Sequence, residues 1–402
     1  MKEVTSLYTG FVCASTGVAS VIQSLDKGAW HNYTMTHSIF SLDKSLTVSD
    51  EFTAAKPKNT YLSSLKGHVK AFSSEFRMWL WRKSYTSGQM AKLYFKLFHL
   101  FRAKKLVKIF ISNDTKCDFL IVHDIWSLIT LKEQGYNLSK VIFVVHGSND
   151  PVSFMTDVFP KIANTRFLRK VESEFTASLA RVKSTVVLSE ENRIQLGAKY
   201  GVVPQLIPNG IPKVEQVYKV SENLNLHMTG SLCSRKRQYL LIEVIAKLPS
   251  MFLHKNNVVV NLFGAGPDFH KIKNRIKELR LEDRVTLHGN TDSPFKNYNS
   301  GDIILSLSTE EGLPVALLEG IRAGCVPIVT DVGGCHLTVG NNNGFLLSSL
   351  DDEGLISELC TLIEKLSNFN TRDSMASNSI SLFESNFSNE QMVSLYAKTI
   401  SS

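Results

Sequence analysis

The sequence predicts an α/β protein made of two doubly wound parallel-sheet domains facing a cleft. Three observations predict it. Short apolar runs of strand length alternate with helix-patterned stretches along the chain. The alternation breaks at the polar, turn-rich stretch 208–225 (PNGIPKVEQVYKVSENLN), which reads as a linker. A length of 402 residues exceeds one ordinary core and suits two domains of roughly 200 residues each.

In the N-terminal half, 120–123 and 141–146 read as strands buried on both faces, and each ends at a histidine, His123 and His146. The runs 184–188 and 205–207 read similarly, with helices over 90–105 and 162–180. The opening 22 residues have the outline of a secretory leader, but Glu3 and frequent Ser and Thr interrupt any apolar core. They read instead as a first strand and a glycine-containing loop. In the C-terminal half, strands are expected at 226–232, 257–263, 284–288, 303–307 and 326–330. Helices are expected at 238–247, from 268 to about 280, at 315–323 and at 353–366. The last helix, 388–400, opens with a Ser-Asn-Glu capping pattern. These elements place one domain at 1–210, a second at 211–385, and a closing helix at 386–402 that packs back towards the first domain.

A hydrophobic content of 43% with 20% charged residues is that of a globular chain, and no apolar run approaches the roughly 18–20 residues that span a bilayer. Six scattered cysteines, with no C-x-x-C or metal-ligand spacing, fit a reducing cytoplasm and argue against a disulfide framework or a zinc site. Charge is uneven: residues 1–200 carry 27 Lys+Arg against 16 Asp+Glu. Between Lys66 and Lys108 eleven cations face one acid, Glu75, with Phe, Trp and Tyr interleaved. That stretch reads either as a surface for an anionic lipid or acceptor, or as a helix pair with aromatics in the core and solvated lysines. No nucleic-acid motif accompanies it.

The chemistry concentrates in 301–334, GDIILSLSTEEGLPVALLEGIRAGCVPIVTDVGG. A buried strand leads through Ser308–Gly312 to Pro314, at the position of a first helical residue, and then to a helix that stops at Gly324. Glu311 lies just ahead of that helix and Glu319 over a turn into it. Open α/β sheets bind ligands at this carboxyl edge, and helix N-termini favour phosphate. Carboxylates there are placed to grip the hydroxyls of a sugar or ribose. Upstream, Gly230-Ser231-Leu232-Cys233-Ser234-Arg235-Lys236-Arg237 puts three adjacent cations on a loop before a helix, which suits a diphosphate. Gly264-x-Gly266 has Phe269 where a dinucleotide fingerprint needs its third glycine. His123-Asp124 has the composition of a general base but more often marks a strand-end turn, and Asn209-Gly210 reads as a structural turn.

Taken together these segments resemble a retaining glycosyltransferase of family 4, with the GT-B fold. The likeness covers about 200 residues: the loop at 230–237, FGAGPDF at 263–269, VTLHG at 285–289, the 301–334 window and NGFLL at 343–347. VVHGSND at 144–150, STVVLSEENRIQL at 184–196 and LIPNGI at 206–211 extend it more thinly. The resemblance implies that Glu311 contacts the donor sugar, Glu319 holds the ribose hydroxyls and Lys236 neutralises the departing diphosphate; Arg235, adjacent to Lys236, is the candidate for a second positive charge of different origin. It also implies that amides around Gly312, Leu313 and Val315 hold sugar and phosphate, and that His146 faces the donor across the cleft. Gly17, in Ser15-Thr16-Gly17, is the candidate for the glycine loop of the first domain.

Two positions depart from the family pattern. Ser231 stands where an arginine is common, and Leu337 where the G-G-x-x-E pattern has its glutamate. The expected function is transfer of a sugar from a nucleotide-diphosphate sugar, a UDP-sugar by family habit, to a lipid-linked saccharide in O-antigen- or capsule-type assembly. The expected site is cytoplasmic, at the inner face of the membrane, with no cofactor and no metal, since the chain contains no Asp-x-Asp. The alternatives are a soluble disaccharide synthase or phosphorylase on the same scaffold, and a catalytically silent nucleotide-sugar-binding protein.

Overall fold

Strands covered on both faces must be apolar throughout, and the sequence supplies two sets of them. The structure, a computed structural model, describes residues 1–9, 17–42, 75–113, 117–214, 219, 221–291, 293–340 and 342–402. The first sheet comprises β1 (Lys2–Tyr8), β2 (Met35–Ser41), β3 (Phe119–Val122), β4 (Val141–Val144), β5 (Ser184–Val187) and β6 (Gln205–Leu206). The second comprises β7 (Asn225–Thr229), β8 (Val259–Phe263), β9 (Val285–Gly289), β10 (Ile303–Ser306), β11 (Val326–Thr330) and β12 (Phe345–Leu347). Their orders are β2-β1-β3-β4-β5-β6 and β12-β11-β10-β7-β8-β9. All neighbouring pairs are parallel.

Each order reverses once, between β1 and β3 and between β7 and β10, and ligands bind outside the carboxyl ends of strands at such reversals. One face of the first sheet packs on helices that include Gly88–Phe95, Phe101–Ser112, Ile125–Glu133 and Arg166–Leu179. On the other face Val4, Ile121, Ile142 and Val186 meet the Gly17–Asp26 helix and Met392, Val393, Tyr396 and Ile400 of the closing Asn389–Ser401 helix. The closing helix thus packs on the first sheet although its chain has just left the second. Ser388 caps it, accepting from the Gln391 amide at 3.3 Å. The outgoing and returning strands of the linker run side by side, with Ile211 N–H donating to Phe387 O and Asn389 N–H to Ile211 O.

Several elements depart from the sequence reading. The strand expected at 226–232 stops at Thr229, because Gly230 (φ +147°) turns the chain out of the sheet. The helix expected over 162–180 is a 3-10 turn, Pro160–Ile162, followed by Arg166–Leu179 behind a Thr165 cap. The 90–105 stretch is helical but passes through a π-turn, Lys96–Leu100. Pro314 is the extended residue before its helix rather than the first residue in it. Two elements had no clear signal. β2 is an edge strand, and the Phe369–Asn386 helix is rich in Ser and Asn with little apolar periodicity. That helix is anchored by the buried Arg372, whose guanidinium donates to the carbonyls of Gly301, Leu366 and Glu222 at 2.7–3.0 Å.

Candidate active site

The loops leaving β1, β4, β7, β9 and β10 line a cavity of about 630 Å³ between the two sheets. Glu311, Gly312, Leu313, Val315, Glu319, Arg235, Lys236, His146 and Gly17 all lie on its wall. The structure therefore brings every sequence-selected site residue together. The rest of the proposed glycine loop, Ser15 and Thr16, falls outside the described residues.

Glu311 and Lys236 sit on the loops that leave β10 and β7, the two neighbouring strands at the reversal. Lys236 Nζ forms an ion pair with Glu311 Oε1, and Arg235 Nη1 lies 3.3 Å from the same oxygen. Arg235 also donates to the Glu310 carbonyl, and Thr309 N–H donates to Arg235 O at 2.9 Å. Two cations and a carboxylate are thus fixed by backbone as well as by charge. Arg235 extends into the position beside Glu311, while Ser231 is exposed and its carbonyl accepts from Gln238 at 3.0 Å. Gly264 (φ +128°) allows the loop after β8 to press on the loop after β7, since a Cβ there would lie 2.0 Å from Gly230 O. These glycines serve packing, as their incomplete fingerprint implies.

The Val315–Arg322 helix presents its first turn to the cavity, where amides have no intrahelical acceptor. It ends in a Schellman turn, with Cys325 N–H donating to Gly320 O at 2.9 Å and Gly324 at φ +80°. Glu319 faces the cavity from this helix. Burial pushes its carboxyl up to about 7, against a smaller opposing effect of Arg322. No hydrogen bond to that carboxylate forms among the described residues.

The two domains meet at Gly312. A Cβ there would fall 2.0 Å from His146 O, so only glycine permits this approach. Gly334 N–H donates to Gly312 O at 2.5 Å, which is what the Gly333-Gly334 pair provides. Leu337, in place of the family's glutamate, packs in an apolar cluster with Leu188, Leu313 and Phe387. His146 sits two residues beyond β4, and burial lowers it to about 4, so the ring is neutral. His123 lies behind it, with Nδ1 2.9 Å from His146 Nε2. Asp124 is a helix cap, accepting from Ser127 N–H and Oγ–H at 2.8 Å each, the arrangement expected of a strand-end turn.

Two contributors were missed by sequence reasoning. Asn209 lines the cavity and donates to Leu313 O at 2.9 Å, correcting its reading as a turn residue only. Glu310, passed over beside Glu311, accepts from Ser148 Oγ–H at 3.0 Å and from Asn149 Nδ2 at 3.1 Å, tying the domains together. Of these, only Asn209 had a local signal, its place at the end of LIPNGI.

Residues 214–381 match the family Glycosyl transferases group 1. The chain is 27% identical over 147 residues to the O-antigen biosynthesis glycosyltransferase WbnH of Escherichia coli, covering 37% of this chain and 40% of that protein. It is 25% identical over 239 residues to the N-acetylgalactosamine-N,N'-diacetylbacillosaminyl-diphospho-undecaprenol 4-alpha-N-acetylgalactosaminyltransferase of Campylobacter jejuni, covering 56% and 61%. The chain spans less than two thirds of the length of either relative. Anabaena Alr3699/HepE, solved in complex with UDP-glucose, superposes over 100% of both chains with a TM-score of 0.64 at 17% identity.

Glu319 yields a stability test. Its folded value of about 7 lies above the ordinary 4.5, so the folded chain holds a proton that the unfolded chain has lost. That contribution is complete below pH 4.5 and is lost as pH rises through 7. Glu319→Gln should therefore gain on the parent protein across this window, by up to roughly 3 kcal/mol at pH 8. Urea unfolding at pH 5 and pH 8 measures it, and an unchanged difference between the two proteins would refute the burial effect. The chain thus has the two facing parallel sheets of a GT-B fold, and its second half, over 214–381, matches the glycosyl transferases group 1 family.

Proposed function

We propose that this protein is a retaining glycosyltransferase that moves a sugar from a nucleotide-diphosphate sugar to a saccharide acceptor. The observation that carries the reading is the Lys236–Glu311 pair with Arg235 beside it, at the reversal of the second sheet and across the cleft from His146. Glu311 neutralises Lys236. A diphosphate brings more negative charge than one carboxylate, so it draws Lys236 and Arg235 to itself and releases Glu311 towards the sugar. First-turn amides at Val315 and Ala316 add their dipoles.

Cleavage of the glycosidic bond builds negative charge on the leaving phosphate, and fixed cations stabilise that charge more than they stabilise the ground state. Glu311 positions the sugar and supports the cation-like anomeric carbon. The acceptor attacks from the face the phosphate leaves, which retains configuration, and the phosphate accepts the hydroxyl proton. Glu319 holds the ribose hydroxyls in its ionised form. Charge on the diphosphate is balanced by Lys236 and Arg235, which is the basis for reading the reaction as metal-independent. UDP is favoured as the nucleotide because the solved structure of the same fold holds UDP-glucose. The names of the two relatives favour an acceptor in surface polysaccharide assembly, and that of the Campylobacter protein a diphospho-undecaprenol-linked one.

A lipid-linked acceptor calls for a membrane-facing surface. Among described residues no helix is long and apolar enough to cross a membrane. Helical residues 75–84 and the segment Lys96–Leu100 bring Phe76 within 5.9 Å of Trp79 and 6.5 Å of Phe98, ring to ring. Phe76, Trp79, Leu97 and Phe101 are exposed, as are Arg77, Arg82, Lys83, Lys96, Lys104, Lys105 and Lys108. Other aromatics of this stretch, Tyr94 and Phe95, are core residues, as the helix-pair reading expects. The two cations that precede Arg77 in this stretch, Lys66 and Lys70, lie outside the described residues. The exposed face suits an anionic bilayer, with the protein peripheral on the cytoplasmic side.

Glu311→Ala should abolish transfer from the nucleotide sugar while circular dichroism shows an intact fold, and full activity would sink the assignment. Lys236→Ala should weaken nucleoside diphosphate binding at least tenfold by calorimetry; unchanged affinity would remove its phosphate role. Separately, the protein should sediment with vesicles containing anionic lipid at low salt and detach at high salt. Indifference to such vesicles would refute the membrane surface and leave the transferase reading untouched.

A further inference from the structure

Behind the cleft, five side chains of the first domain form an unbroken hydrogen-bonded file. Asp26 Oδ1 lies 3.0 Å from His37 Nδ1, and His37 Nε2 lies 2.9 Å from Ser6 Oγ. Ser6 Oγ lies 3.2 Å from His123 Nε2, and His123 Nδ1 lies 2.9 Å from His146 Nε2. The file joins the C-terminal end of the first helix to the cleft through β2, β1 and the ends of β3 and β4. Both nitrogens of His37 and of His123 are used. His37 is stacked on Trp30 at 5.2 Å, and His123 on His146 at 5.1 Å, so neither ring is loose.

The polarity of such a file is set at its ends. An ionised carboxylate only accepts, whereas a neutral imidazole has one donor and one acceptor nitrogen. With Asp26 accepting, His37 carries its proton on Nδ1 and accepts at Nε2. Ser6 then donates to His37 and accepts from His123 Nε2–H. His123 accepts at Nδ1, so His146 must donate from Nε2. Each bond dictates the next. Burial, with His146 and His37 nearby, holds His123 far below the usual histidine range, which keeps its ring neutral as the scheme requires. Asp124 plays no part, since its carboxylate caps the following helix.

We propose that Asp26, acting through His37, Ser6 and His123, fixes the tautomer of His146, leaving Nδ1 as a bare acceptor for a saccharide hydroxyl in the cleft. The four residues are positioning residues. The tautomer follows from the file alone, while the hydroxyl partner rests on the glycosyltransferase reading above. A histidine free to take either tautomer would spend part of its time with a donor at Nδ1, and a hydroxyl held as a donor would then lose its partner.

The test is long-range proton–nitrogen NMR on the full chain labelled with ring-¹⁵N histidine, His146 being assigned by the signal lost in His146→Gln. The parent protein should show His146 protonated at Nε2 and bare at Nδ1, with His37 protonated at Nδ1. Asp26→Asn is nearly isosteric and can donate or accept, so His146 should become a mixture of tautomers. Ser6→Ala should do the same by cutting the file, and Ser6→Thr, which keeps the hydroxyl, should restore the single tautomer. His146 protonated at Nδ1 in the parent, or unchanged by both Asp26→Asn and Ser6→Ala, would overturn the proposal. No substrate is needed, so failure of the transferase reading cannot produce either result. With the donor in hand, Asp26→Asn should lower kcat/KM about tenfold, the size of one lost hydrogen bond, and Ser6→Thr should recover it. A shifted tautomer with unaltered kcat/KM would overturn the role of Nδ1 towards the saccharide.

Discussion

The ion pair between Lys236 and Glu311 is the constraint on which the site depends. It joins the loop after β7 to the loop after β10, the two strands between which the second sheet reverses direction. The Lys236 and Glu311 side chains are only 15% and 10% exposed, so solvent screens their attraction weakly. A cation loop with no counter-charge would repel itself; a lone carboxylate beside a helix start would have no reason to stay at the cavity wall. Together they balance each other's charge, and a second anion can take the place of the first.

The remaining architecture holds that pair opposite the first domain. Gly312 touches the His146 carbonyl, Asn209 holds Leu313 O, and Glu310 takes hydrogen bonds from Ser148 and Asn149. All these contacts fall on one loop, next to Glu311. The closing helix, packed on the first sheet, and the paired crossings near Ile211 and Phe387 join the halves at a second place. Any movement of one domain against the other therefore acts on the loop that carries Glu311. His146, a neutral ring, is held from behind by hydrogen-bonded side chains and faces the charged Lys236–Glu311 wall across the cleft.

Much of this was legible in the sequence where the signal is local. Buried parallel strands read as apolar runs, and a carboxylate before a helix start reads from five consecutive residues. The cations at 235–237 precede a helix in the same way. What was not legible is long-range or weakly patterned. The Phe369–Asn386 helix is held by Arg372 bonding to distant carbonyls, not by an apolar stripe. β2 is an edge strand whose pairing partner lies about 30 residues earlier. The histidine file joins positions 6, 26, 37, 123 and 146, a set no local window contains. Glu310 and Glu311 are adjacent and chemically alike, and only the fold assigns one to the domain contact and the other to the cation pair.

The central claim is that Glu311 and a diphosphate compete for Lys236. The direct measurement is calorimetric affinity of the nucleoside diphosphate that binds best, compared between the parent protein and Glu311→Gln. Removing the competing charge while keeping the shape should tighten diphosphate binding even as sugar transfer is lost. Equal or weaker binding in Glu311→Gln would contradict the account.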